Sequence, residues 1–307
     1  MRSIASAFGL LFVFIVSCGT KDPGPRRTGA TNLSFDSLAG VRFIEVRREF
    51  DNGIAFNDMG FQQIPEWDMY FIPGDSSRIY NPFEKRYINF PIYFDHDSVF
   101  NTARQWFRLR EASKDSLWLQ LLQVEHKKVL KDRSNVYMKF YSEAFLKSAG
   151  KSVEQARLPK PQDSLYIEKL AGRANRNPGN IDSAFAAANP VMFESANPNI
   201  LVEREIPKRT FLDYKPSDAY MHPVYNITIQ KAYKDFVYEF GAVVDEKGII
   251  RFGELLTVVE DVENRKAVLN AIIKLYLQPM LKVAPGTTLG FKHSSSIILK
   301  VKGIKAD

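Results

Sequence analysis

Phe236-Val237-Tyr238-Glu239-Phe240-Gly241-Ala242-Val243-Val244-Asp245-Glu246-Lys247-Gly248 decides the fold of the C-terminal part of the chain. Phe236, Tyr238, Phe240, Ala242 and Val244 recur at every second position, so they share one face of a strand. Asp245-Glu246-Lys247-Gly248 is a polar turn ending in glycine, a hairpin signal. Residues 249–258 return as the second strand. The period then changes. Over 260–277, Val268, Ile272, Leu275 and Leu269, Ile273, Tyr276 fall at three- and four-residue steps, which predicts a helix. Glu260 or Asp261 near its start suits the helix dipole, and Gln278-Pro279 is expected to stop it. Residues 296–304, with Ile297-Ile298-Leu299-Lys300-Val301, read as a closing strand. The order strand, turn, strand, helix, strand defines a small α+β unit over 223–307, entered through a short alternating piece at 227–229.

Upstream, residues 148–222 read as a loop-rich connector. Asn177-Pro178, Asn189-Pro190 and Asn197-Pro198 mark boundaries, because proline disfavours helix in the residue before it. Short helices are expected at 151–157 and 164–174, and another at 182–188 with Asp182 as its N-cap. Residues 200–205 read as a strand. Residues 34–147 are β-rich. Leu117, Leu119 and Leu121 share one face, as do Val136, Met138 and Phe140, and the charged turn region 126–134 between them predicts an antiparallel pair. Further strands are expected at 42–50, 67–72 and 106–109, while 99–112 stays open between strand and a turn of helix. Pro65, Pro73, Pro82 and Pro91 keep the strands short or at edges. The fold class is therefore α+β: a β-rich small sandwich or barrel, a connector, and the C-terminal unit.

The first residues carry a different signal. Met1-Arg2-Ser3 is a short basic start, and residues 4–16 are an apolar run of 13. A membrane-spanning helix needs about 20 such residues, so the run has the length of a secretory signal rather than of a permanent span. Ile15-Val16-Ser17-Cys18 resembles a bacterial lipobox, and Cys18 is the single cysteine of the chain. That resemblance implies cleavage before Cys18, thioether lipidation of its sulfur and acylation of the new amine, with palmitate among the acyl chains. Residues 1–17 would then be the signal peptide and 18–33 a flexible tether. The lipid membrane is the partner held through Cys18, since several acyl chains anchor stably where one alone is marginal. Gly19 stands where an inner-membrane retention signal would place Asp, so the expected location is the outer membrane, on its periplasmic face.

From residue 223 onwards the chain resembles the C-terminal domain of the TonB energy transducers. The alternating strand into Val244-Asp245-Glu246-Lys247-Gly248, the strand after it, the helix with Ala267 and Ala271, Pro279 and the last strand carry the likeness. Two places depart from the family pattern: the Tyr-Pro entry is reduced to His222-Pro223-Val224-Tyr225, and Thr288-Leu289-Gly290-Phe291 replaces the Gly-Lys-Pro-Val turn. The resemblance implies a module that binds an extended peptide by strand addition at a sheet edge. It does not imply a transducer, because the chain has a lipobox in place of an inner-membrane helix and has no Pro-rich arm.

Composition narrows the remaining classes. The 307 residues suit about two ordinary domains. One cysteine excludes an intrachain disulfide and any multi-cysteine metal cluster. His96, His126, His222 and His293 form no His-x-x-x-His pair, and neither a nucleophile elbow nor a phosphate loop occurs, so neither a catalytic residue nor a cofactor site is assigned. The net charge of +7 becomes +6 without Arg2 and is spread along the chain, a pattern that suits anionic headgroups better than nucleic acid. Asp95-His96-Asp97 is a candidate cation cluster, although consecutive strand residues alternate faces and a solvated turn explains it equally. Trp67, Tyr70 and Tyr80, within an aromatic stretch from 67 to 94, are candidate glycan contacts, with ordinary core packing as the other explanation. The expected function is a lipid-anchored envelope binding or scaffold protein with an envelope protein partner at 223–307. A glycan-binding lipoprotein is the alternative, and an envelope hydrolase with a carboxylate pair the more remote one.

Overall fold

The computed structural model describes residues 33–206 and 216–306. The signal segment 1–17, Ile15-Val16-Ser17, Cys18 and the tether up to residue 32 lie outside the described residues. The chain is mostly strand. The N-terminal strands are β1 (Arg42–Phe50), β2 (Asp68–Ile72), β3 (Ser76–Asn81), β4 (Arg86–Pro91), β5 (Tyr93–Phe94), β6 (Val99–Thr102), β7 (Gln105–Ala112), β8 (Ser116–Leu122), the small hairpin β9 (Val124–Glu125) and β10 (Lys128–Val129), and β11 (Val136–Ser142). Nine of them make one antiparallel sheet in the order 4-3-2-1-11-8-7-6-5. Leu119 faces Met138 and Leu117 faces Phe140 across β8 and β11, as the alternation predicts. Residues 99–112 hold two strands and no helix.

The sheet curls on itself into a near-barrel. The Ser77 hydroxyl on β3 lies 2.6 Å from that of Thr102 on β6, although six places in the sheet separate the two strands. Phe43, Phe71, Phe94, Phe100, Phe107 and Phe140 fill the interior, all buried. Phe35 enters from the chain start and stacks on Phe71 at 4.0 Å between centroids. Each such side chain contributes about 1.5–3 kcal/mol of burial. Outside β1, Ile44 and Val46 pack under Leu146 of α1 (Glu143–Ser148) and against Val153 and Ala156 of α2 (Val153–Ala156). Ser142 caps α1 by accepting from Phe145 N, and Ser152 closes a capping box with Gln155 on α2.

Helix α3 (Pro161–Arg176) starts with proline at its first turn, where the missing N–H costs nothing. Its buried face, Ile167, Leu170, Ala171 and Ala174, packs with Ala55, Phe56 and Phe185 and touches Leu289 and Phe291. The expected helix at 182–188 does not form. Asn180 Oδ1 accepts from Asp182 N, so the segment starts as an Asx turn and then runs extended, leaving Asp182 as no N-cap. That extended run is clamped. Ala186 N donates to Met59 O, and a Cβ on Gly60 (φ +85°) would lie 2.2 Å from Ala186 O.

The C-terminal strands are β12 (Met192–Ser195), β13 (Ile200–Arg204), β14 (Val224–Ala232), β15 (Phe236–Val244) and β16 (Ile250–Leu255). Helix α4 (Val262–Ile272), a π-helical turn (Ile273–Leu277) and α5 (Gln278–Met280) lead to β17 (Leu281–Ala284), β18 (Thr287–Thr288), β19 (Phe291–Lys292) and β20 (Ser295–Lys305). Five strands pair in the order 13-14-20-15-16, with β14 and β20 parallel and the other pairs antiparallel. Strand β13, placed by the sequence in the connector, is the outer strand of this sheet. Leu269, Ile272, Ile273 and Leu277 bury the helical segment in one core with Ile227, Phe240, Leu299 and Val301. Pro279 does not stop the helix, which continues to Met280. Proline cannot donate to a preceding carbonyl and clashes with it. The wider π turn just before it relieves that conflict.

Candidate functional site

The two edges of the five-stranded sheet differ in chemistry. On one side, β13 runs into Glu203-Arg204-Glu205. Glu205 pairs with Lys300 at 3.0 Å and accepts from Asn226, and these two hydrogen bonds, Lys300 first, lower its pKa. Charges on an edge strand discourage further pairing. On the other side, β16 pairs only with β15 and carries a bulge opposite Gly241–Ala242. Beyond Leu255 the chain exposes Leu256 (40%) and Val258 (103%), in a run of β-favouring residues.

The start of β16 is held firmly. Asp245 Oδ1 accepts from Lys247 N and Ile249 N, each at 2.9 Å, and its Oδ2 meets Arg251 at 3.3 Å. Gly248 sits at φ +80°, and a Cβ there would lie 2.7 Å from Val283 O, so the residue must be glycine. Gln278, at the end of the π turn, accepts from Ile250 N at 2.8 Å and donates to Gly248 O at 3.3 Å. The edge strand is therefore fixed at one end by the helix, bears exposed Arg251 and Glu254 along its length, and is followed by exposed Leu256 and Val258.

The candidate glycan contacts are not brought together. Trp67 joins the inner core and meets Phe107 edge-on at 5.2 Å. Tyr70 and Tyr80 instead flank Tyr87, with centroids at 5.3 and 5.2 Å and planes 72° and 63° apart. Burial and the hydrogen bond to Asp68 raise the Tyr87 pKa. Arg42 grips the same Asp68 with two hydrogen bonds, and its own pKa is raised chiefly by them. Asp95-His96-Asp97 forms an exposed turn in which His96 Nδ1 lies 3.0 Å from Asp95. Among the described residues no group of three His, Cys, Asp or Glu side chains converges as a metal site.

Two polar networks were not foreseen. Asp163 on α3 is fully buried and accepts from Arg47 through both terminal nitrogens, from Ala55 N and from Lys160 N. Burial pushes its pKa up, but the hydrogen bonds outweigh burial and hold it below the usual carboxylate value. This ties the near-barrel to α3. His293, also fully buried, has Thr288 Oγ1 at 3.0 Å from Nε2 and Ser295 Oγ at 3.3 Å from Nδ1, and it stacks on Phe185 at 3.6 Å. Burial pushes its pKa down to about 4, so it is neutral at pH 7. Its ring contacts Phe185, Thr288, Ser294 and Ser295, and its backbone N–H donates to Gly286 O. It fastens the 185–189 run to the C-terminal sheet. The signal for Asp163 was present in the sequence, as an acid two places after a helix-starting proline.

Comparison with protein-family models and with curated proteins found no match.

Proposed function

We propose that the protein is a lipid-anchored binding or scaffold protein of the bacterial cell envelope, held at the periplasmic face of the outer membrane through Cys18. Its C-terminal unit acts as a TonB-C-like module that takes up an extended peptide of an envelope protein along β16. The observation that carries this reading is the exposed apolar pair Leu256 and Val258 just past the end of β16. Both outer strands mix exposed charge and apolar side chains, Arg251 and Glu254 on β16 and Leu201 beside Glu203-Arg204-Glu205 on β13, so the pair beyond β16 is what singles that edge out. An added strand would find unpaired backbone groups along β16 and apolar side chains beyond it. The lipobox Ile15-Val16-Ser17-Cys18 supports the anchor, and the hairpin, helix and closing strand support the likeness to the family. β13 and β14 are additions to that pattern. Titration of the full chain with extended envelope-derived peptides tests the binding. The expected result is amide shifts concentrated in residues 250–256, and shifts elsewhere or none would remove the reading.

Glycan binding is the second reading, and the half-exposed Tyr70–Tyr87–Tyr80 row is what favours it. Its rings stand edge to face, a geometry that satisfies the rings themselves before any sugar. Retention on a polysaccharide matrix that falls with Tyr80→Ala would support it, and unchanged retention would end it.

A further inference from the structure

Helix α4 and the π turn after it carry an apolar stripe that the sheet covers only in part: Ile272 lies in the core, Val268 and Tyr276 are half-buried against it, and Ala271 and Leu275 are exposed. Val268, Ala271, Ile272, Leu275 and Tyr276 follow the i, i+3, i+4, i+7, i+8 pattern of one helix face. With Tyr233, from the turn after β14, they line a groove of about 250 Å³. Leu275 is 63% exposed and Tyr233 54%, although the neighbouring Leu269, Ile272, Ile273 and Leu277 are buried in the sheet core. The π turn lies within this stretch and holds Leu275 and Tyr276. Such turns recur at functional positions. Tyr276 Oη accepts from Tyr233 N at 3.2 Å, which fixes the two walls relative to each other.

Lys231 and Lys234 flank Tyr233 in the chain, and Lys274 precedes Leu275. Lys234 Nζ stands 5.4 Å from the Tyr233 ring centroid. No salt bridge among the described residues engages these three lysines. Of the acids nearby in the chain, Glu263 is neutralised by Lys266 at 3.0 Å, and Asp235 is held by the Lys305 backbone N–H at 2.8 Å, so three lysines face one unpaired carboxylate.

We propose that this groove is a docking site, separate from the β16 edge, for a peptide segment that presents apolar side chains among acidic ones. A concave apolar trough takes inserted side chains, whereas a membrane surface would select protruding ones. The lysine rim selects the acidic partner and speeds its encounter. The full chain in nanodiscs of zwitterionic lipid would be titrated with a labelled 14-residue peptide. That peptide carries Leu and Phe at helical spacing and Glu elsewhere, and its twin has Lys for every Glu. The acidic peptide is expected to bind at least about tenfold more tightly, and less so at high salt. Leu275→Asp and Ala271→Trp, both at exposed positions, should each abolish binding with an unchanged circular dichroism spectrum. Lys234→Glu together with Lys274→Glu should reverse the preference between the twins. Equal binding of the twins, binding indifferent to these variants, or a preference for anionic vesicles over the acidic peptide would overturn the proposal. Loss of β16 binding with groove binding intact would leave it standing.

Discussion

The near-barrel and the five-stranded sheet solve the same burial problem in opposite ways. The first curls until β3 meets β6 and fills itself with phenylalanine. The second stays open, covers one face with α4, and leaves β16 at an edge and Leu275 of the helical segment exposed. A closed, ring-filled interior has no room for a ligand, and an open two-layer sheet has both an edge and a groove. The comparison teaches that the first region spends its apolar side chains on one interior, whereas the second, with a core at least as large, also leaves an edge and a partly exposed helix face that the proposed partner would use.

Substitutions can break that contrast. The largest effect is expected inside the near-barrel, where Phe71→Ala leaves a cavity and should cost about 3–5 kcal/mol in denaturant unfolding. A loss below about 1 kcal/mol would mean that the core is looser than the ring contacts imply. The His293 junction should come next. Its folded pKa lies near 4, below the ordinary 6.5, so the unfolded chain binds the proton more readily. The stabilisation is complete above pH 6.5 and is lost as pH falls towards 4, to an upper limit on the order of 3 kcal/mol. Unfolding measured from pH 7.5 to 4 should show that slope, and His293→Gln should flatten it. A slope that survives the substitution would assign it to carboxylates instead. Gly248→Ala should cost about 1–3 kcal/mol through its left-handed backbone and the approach of Val283 O. The smallest effect on stability is expected at the open edge. Val258→Lys should change unfolding by under about 0.5 kcal/mol, yet remove peptide binding along β16. A stability loss as large as that of Phe71→Ala would show that the residue is not an open-edge position.

Much of this architecture was legible in the sequence, and the gaps have physical causes. The alternation at 116–121, 135–141 and 236–244 and the helical spacing at 260–277 point to the strands and the helix that form, and 42–50 is a strand as expected, although β1 buries Phe43 on one face and Ile44 and Val46 on the other. The strands β3 to β5 were missed and β6 was left open. The turn between β6 and β7 is made by Ala103-Arg104 at φ 47° and 63°, and that between β9 and β10 by His126-Lys127 at 50° and 64°. Such turns ordinarily announce themselves with Gly or Asn, and these do not. The pairing of β13 with β14 joins segments some 25 residues apart and has no local signature. At the site, parity alone places Trp67 with Met69 and Phe71 on the inner face and Tyr70 on the outer one, so the split among the glycan candidates was readable. Which strand ends up at an edge was not, since that depends on sheet order.

The central claim is that the β16 edge, and not the β13 edge, receives the partner. In-cell photo-cross-linking tests it directly, with the photoreactive residue placed at Leu256 in one full-length variant and at Glu203 in another. The account predicts adducts to an extended segment of an envelope protein at 256 and none above background at 203. Adducts at both positions alike, or at 203 alone, would contradict it.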